Sequence, residues 1–416
     1  PQYHRDEAAL DILSIMMGGG NSSAFYKNFV KDKSAIQAGV NHQSSELAGE
    51  FSIEIFAYPP EDFNLEKLFA DIDAKVKTTI DEFEKTEITE DALQRAKAQI
   101  ESGAYASLSS VFGKNYTISQ WERLLGRSSS ISDEIDRYSK VTKEDIARVF
   151  NKYIKGSGAA ILNTHPIYNE KDSVKSFNPH AGEVYPTPEY DGLSYTPVPD
   201  KFDRSARPAA GTVKPVKIPD YYTYTMKNGI KVIGTKTTET PEITLVLNIE
   251  GGSLVLPAGQ IKKIGVAELT ASLMNEGSKN YTTEQISAEL EKTGSTIYFY
   301  ASKTNTTVRI NCLKKNIDAT LKLLEEKLLN PGFREEDFKL AKKQYKGSIR
   351  DEQTSAEAIA SRMFDFALYG NSVMGLHPSL KSVTNIELED LQNYYTNYYS
   401  PSVTNLIIVG DIEEKE

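Results

Sequence analysis

The feature that most narrows the fold is a repeat: the chain matches itself at a fixed offset of 245 residues. EDALQRAKAQI at 90–100 aligns with EEDFKLAKKQY at 335–345, placing Glu90 over Glu335, Ala96 over Ala341, Lys97 over Lys342 and Gln99 over Gln344. At the same offset EDIARVFNKYI (144–154) aligns with EDLQNYYTNYY (389–399), and the apolar GAAILNT (158–164) falls on VTNLIIV (403–409). Resemblance of one helix would be unremarkable, but one offset held over three consecutive elements predicts a duplicated domain. The period is far too long for a solenoid. A chain of 416 residues, 39% of them apolar, has material for more than one packed core.

Each copy reads as helix, alternating strands, further helices and a closing strand. In the first, Ala8 to Met16 are apolar at helical spacing, GEFSIEIFAY (49–58) alternates as a strand, and helices are predicted near 64–84, 89–108 and 142–155, with a closing strand at 158–164. The second opens with YYTYTMKNGIKVIGTKT, two period-2 strands around Asn228-Gly229, a strong hairpin signal. Then follow the strand EITLVLNIEGGS, the helix GVAELTASLMNEGS, the hairpin TIYFYASKTNTTVRINCL and a helix near 334–350. Helices mixed with hairpins in each unit predict the α+β class: two homologous mixed α/β domains with antiparallel-rich sheets. Nine of the 17 prolines lie within 166–219, where missing ladder donors and the disfavoured helix before proline predict an extended linker. The expected division is 1–165, a linker at 166–218, and 219–416.

The balance of 58 acidic against 48 basic residues, net charge -10, opposes the counterion release on which polynucleotide binding relies, so no nucleic-acid partner is expected. Cys312 is the single cysteine, at the end of the alternating run TVRINCL, and reads as a small buried apolar residue. No stretch approaches the roughly 20 apolar residues of a membrane span. The start PQYHRDEAALDIL has neither a basic n-region nor a signal h-region and enters a helix without an initiator Met. With an end just past a buried-type strand, this reads as an excerpt of a longer polypeptide.

Candidate chemistry centres on GVAELTASLMNEGS. Val266, Leu269, Leu273 and Met274 share one helical face; the other is expected to carry Glu268, Ala271 and Ser272 at i, i+3 and i+4. Those are the offsets of His-x-x-Glu-His, which brings two imidazoles to one zinc while the carboxylate activates water. None of His4, His42, His165, His180 and His377 forms a pair at ligand spacing. His4-Arg5-Asp6-Glu7-Ala8 imitates half such a motif, but Ala8 stands at the second ligand position, so His4 reads as a solvated helix start. The tyrosine run NYYTNYYS (393–400), without a basic groove, reads as packing and not as a stacking platform.

The NG hairpin, the strand ending in EGGS, and the glycine-framed helix resemble the pitrilysin/insulinase family of zinc metallopeptidases. On that frame Glu268 and Ser272 stand where histidines would be, Ala271 where the catalytic Glu would be, and Ser348 in KGSIRDE near the position of the third ligand, so the resemblance implies a degenerate third domain. LSIMMGGGNSSAFYKNFVKDKSAIQAGV is similar to the family phrase that opens its second and fourth domains. Gly18 to Gly20 follow a helix and read as a glycine helix stop rather than a phosphate loop. Lys31 and Ala38 occupy the places of the fourth domain's carbonyl-binding Arg and Tyr, which implies a second domain.

The resemblance thus implies the middle portion of a four-domain peptidase: no cofactor in this chain and zinc in the parent protein, whose first domain would carry His-x-x-Glu-His and whose fourth an Arg-x6-Tyr pair. Together they would close on short or unfolded peptides. The alternative is a non-catalytic scaffold or regulatory partner subunit. The Tyr-, Asn- and Ser/Thr-rich composition with one Cys points to an exported, periplasmic bacterial protein.

Overall fold

The structure, a computed structural model, describes residues 1–58, 64–126, 129–165 and 218–416, together with 194, 203, 205, 206, 209 and 211. The chain divides into a large unit, Pro1–Ser157 with Asp220–Glu416, and a small one, Gly158–Pro219. The expected linker at 166–218 lies almost wholly outside the described residues.

The N-terminal block of the large unit is built on helix α1 (Glu7–Gly18), whose Ile12, Leu13 and Met17 are fully enclosed. A π-helical turn (Tyr26–Lys31) leads into the antiparallel pair β1 (Ala35–Ser44) and β2 (Gly49–Ala57), in register through Ala38 and Ile55. Helices α2 (Leu65–Thr86), α3 (Glu90–Ser107), α4 (Val111–Leu125), α5 (Ile131–Ser139) and α6 (Lys143–Tyr153) follow. Their starts are written in side chains: the Thr89 and Ser110 hydroxyls accept the amides of Ala92 and Gly113, while Ser130–Asp133 and Thr142–Asp145 form reciprocal capping boxes. α1 packs with Phe25, Phe29, Phe83, Leu93, Ile146 and Phe150 in one core. α1 stops at the glycines as expected, with Gly20 at φ +81°.

The strand expected at 158–164 does not form. Those residues carry no regular structure, and Ile161 and Leu162 are 67% and 89% exposed. Apolar content alone does not make a strand: its amides need a ladder partner, and among the described residues the block's sheet consists of β1 and β2.

The C-terminal block opens with β3 (Tyr222–Thr225) and β4 (Lys231–Lys236), joined by a turn in which Gly229 takes φ +96° and the Met226 amide donates to the Ile230 carbonyl at 2.8 Å. β5 (Glu242–Glu250), α7 (Val266–Asn275), α8 (Thr283–Lys292), β6 (Thr296–Ala301) and β7 (Asn305–Leu313) follow. Then come α9 (Ile317–Leu329), α10 (Glu335–Glu352), α11 (Ala356–Tyr369), α12 (Leu380–Thr384), α13 (Leu388–Tyr398) and β8 (Thr404–Gly410). The six strands lie in the order β3-β4-β8-β5-β7-β6, antiparallel except for β4 beside β8. The class is α+β. Helices α3, α4 and α6 begin at Glu90, Val111 and Lys143, and α10, α11 and α13 each begin 245 residues later.

The two-faced reading of α7 needs correction. Val266, Ala267, Leu269 and Leu273 pack with Phe338, Ile349, Val383 and Leu391, but Ala271 and Met274 join a second core with Ile243, Phe299, Val308 and Ile310. A helix lying between a sheet and other helices is enclosed on nearly every side, so the face expected to lie opposite the buried one carries Ala271 at 1% exposure.

Candidate functional site

The glycine turn after β5 and the start of α7 position the central side chains. Gly251 and Gly252 have φ +144° and +54°, and a Cβ on Gly252 would collide with the Ser302 carbonyl. This tight turn presents Ser253, itself inaccessible, so that its hydroxyl lies 3.4 Å from each carboxylate oxygen of Glu268. Gly265 starts α7 at φ +111°, with Tyr345, Val383 and Pro378 around the place a side chain would fill.

Burial pushes the Glu268 carboxyl above the usual range, against the opposing pull of the Ser253 hydroxyl and the Lys303 ammonium. Burial, then the Glu268 charge, keep the Tyr345 hydroxyl protonated, and the Tyr394 hydroxyl donates to the Gly252 carbonyl at 2.8 Å. Beyond them Lys303 donates to Asp365 (2.7 Å) and to the Met374 carbonyl (2.6 Å), and the His377 ring meets Asp365 at 2.9 Å. Burial and the neighbouring Lys303 charge hold His377 below its ordinary pKa.

This donor set does not fit zinc. Glu268 is one carboxylate already facing Ser253, Ala271 is a methyl group in the core, and Ser272 is a half-buried hydroxyl. Ser348 is exposed on α10 and donates back to the Tyr345 carbonyl at 3.0 Å. Among the described residues no hydrogen bond or ion pair joins Glu268, Ser272 and Ser348, and no group of three or more His, Cys, Asp or Glu is arranged to hold a metal. A zinc site needs about four soft or borderline donors converging at roughly 2 Å, with one position open for water.

The other singled-out positions lie elsewhere. Lys31 ends the π-helical turn and pairs with Glu284 of α8, while Ala38 is 9% exposed within β1. His4 is exposed just before α1 and accepts the Asp6 amide at 3.2 Å. Sequence reasoning missed the polar knot in the N-terminal block where Asp11 meets His42 (2.6 Å) and Tyr138 (2.7 Å) and Glu7 meets Arg137 (2.7 Å). Its hydrogen-bonded partners are up to 130 residues apart, so no local spacing announces it.

The comparisons with known proteins accord with this frame. A profile described as insulinase (peptidase family M16) matches residues 231–377, and one described as peptidase M16 inactive domain matches residues 1–100. Curated relatives include a probable mitochondrial-processing peptidase subunit beta of Arabidopsis thaliana, 24% identical over 204 residues, covering 48% of this chain and 37% of that protein. They include also a zinc protease, PqqE, of Helicobacter pylori (23%; 48% and 45% covered) and a non-peptidase homolog, YmxG, of the same organism (21%; 39% and 37%). The matched stretch thus spans less than half of each relative's length. Among solved structures, a peptidase M16 inactive domain from Pseudomonas fluorescens is similar, with TM-score 0.44 and 24% identity, covering 47% of this chain and 48% of that one. The chain belongs to the pitrilysin/insulinase family, peptidase family M16.

Proposed function

We propose that this chain is a non-catalytic, wall-forming portion of a zinc-dependent metalloendopeptidase of that family, one that arose by domain duplication and acts on short or unfolded peptides through domains outside residues 1–416. The observation that carries the reading is the frame of α7, in which Glu268, Ala271 and Ser272 stand where two imidazoles and a general base would be needed, and Ala271 is sealed in the core. A relative's name, zinc protease, supports a peptidase as the whole protein. The matched 37–45% of the relatives' lengths leaves room in such a protein for a separate metal-bearing domain. A second reading, a scaffold or partner subunit, is favoured by the similarity to a protein named non-peptidase homolog. An exported, periplasmic setting remains part of the proposal and rests on composition alone.

The test is metal analysis and peptide turnover on this chain. Protein stripped with a chelator, resupplied with zinc and desalted is expected to retain far less than one zinc per chain and to leave an unfolded fluorogenic peptide intact. One tightly held zinc per chain, or zinc-dependent cleavage, would overturn the reading.

A further inference from the structure

Gly18–Gly20 and the serines after them are explained only in part by the end of α1. Glu291, in the last turn of α8, lies 269 residues further along and is 8% exposed, with its carboxylate inserted against this loop. The Ser22 hydroxyl, 7% exposed, donates to its Oε2, the Ser287 hydroxyl donates to Oε1 at 3.3 Å, and Arg95 Nε of α3 stands 3.4 Å from Oε2. A Cβ on Gly20 would lie 2.5 Å from Oε1, so a side chain there would push the carboxylate out of its place, in addition to the strain of Gly20's own φ of +81°. The crevice beside the carboxylate, about 10 Å³, is too small for more than a single water. One helix end further on, Gly294 at φ +57° lets α8 meet the α3 backbone, since a Cβ there would strike the Ala98 carbonyl. Lys292 with Asp91 (3.2 Å), Lys315 with Glu101 (2.6 Å) and Lys31 with Glu284 add ion pairs along the contact.

A buried carboxylate is tolerable only where donors replace its water. Two of the three donor side chains here, Ser22 and Arg95, belong to the other block. We infer that the Gly18–Gly20 loop with Ser22 and Arg95 is a carboxylate-binding socket whose resident ligand is Glu291, and that this socket fixes the N-terminal block to the C-terminal block along α3 and α8. It depends neither on the zinc frame nor on any activity of the whole protein.

Hydrogen exchange on the full chain tests it, read at the amides of 90–107 and 283–292, with far-UV circular dichroism to verify folding. Ser22→Ala and Glu291→Ala are each expected to speed exchange in both helices about tenfold, as for loss of a charged hydrogen bond, and the double variant no further than either. Glu291→Gln, which keeps an acceptor for Ser22, should recover part of the protection. Gly20→Ala should be less damaging in the Glu291→Ala background, because its backbone strain persists but its collision is gone. The socket is overturned if the effects of Ser22→Ala and Glu291→Ala simply add, if faster exchange is confined to the block that carries the change, or if Gly20→Ala is equally damaging in both backgrounds.

Discussion

Lys327 has 2% of its surface exposed and donates to the carbonyls of Asn275 (3.1 Å) and Glu276 (2.7 Å), the end of α7, where the helix dipole favours a cation. Burial lowers its pKa from 10.5 to about 8, with the Glu276 carboxylate opposing the shift. Below about pH 8 the folded and unfolded chains both carry this proton and the full penalty of a buried charge applies. Between about pH 8 and 10.5 the unfolded chain holds more of it, so this group's contribution to stability rises with pH. Comparing Lys327→Met with the parent protein by urea unfolding cancels the tyrosines, which act in the opposite sense at high pH. The deficit of the variant should grow by about 1–2 kcal/mol between pH 7 and 9.5; a deficit independent of pH would sink the assignment. Residue identities at the zinc frame were legible because helical spacing is local information. The surroundings of Glu268 were not, since Ser253, Tyr345, Tyr394 and Lys303 arrive from four separate segments, and the burial of Ala271 depends on which elements close over α7.

Among elements, the outer edge of β6 is the exposed end of a six-stranded sheet, and it is covered by a side chain. Asn275 Nδ2 donates to the Phe299 carbonyl and its Oδ1 accepts the Phe299 amide, both at 2.8 Å, reproducing at one position what a neighbouring strand would do. Asn275→Ala strands both backbone groups and should lower unfolding stability by about 2 kcal/mol, with Asn275→Asp recovering less than half because it cannot donate. An unchanged midpoint for the alanine variant would show the edge needs no cover. The elements read correctly from sequence, such as α3, α6, α10 and β5, bury a regular face. Helices α4 and α11 escaped because most of their large apolar residues point outward: Val111 and Phe112 are 84% and 79% exposed, Met363 and Phe364 68% and 64%, with Trp121 the buried exception in α4. A period without a core face gives no signal, and the run at 158–164 is the converse, apolar residues with no ladder to join.

At the scale of the whole chain, the apolar cores and the polar contacts have different distributions. The core around α1 draws only on the N-terminal block, and the two cores around α7 only on the C-terminal block. What crosses between blocks is chiefly charged: Arg95 with Glu291, Lys292 with Asp91, Lys315 with Glu101, Lys31 with Glu284, and Lys343 over the Tyr58 ring at 3.7 Å. Apolar burial is the larger stabilising term and is not screened by salt, whereas exposed ion pairs contribute about 0–1 kcal/mol each and are screened. Each block should therefore unfold on its own core, with the contact between them adding only partial coupling. Calorimetry is expected to resolve two transitions, and raising salt to about 1 M, where the screening length falls to roughly 3 Å, should draw them further apart. The buried Glu291 contact, shielded from ions, should keep some coupling at high salt, which Glu291→Ala would remove. A single transition whose calorimetric and van't Hoff enthalpies agree at both salt concentrations would mean that the two blocks fold as one cooperative unit, and that the separation of their apolar cores has no thermodynamic consequence.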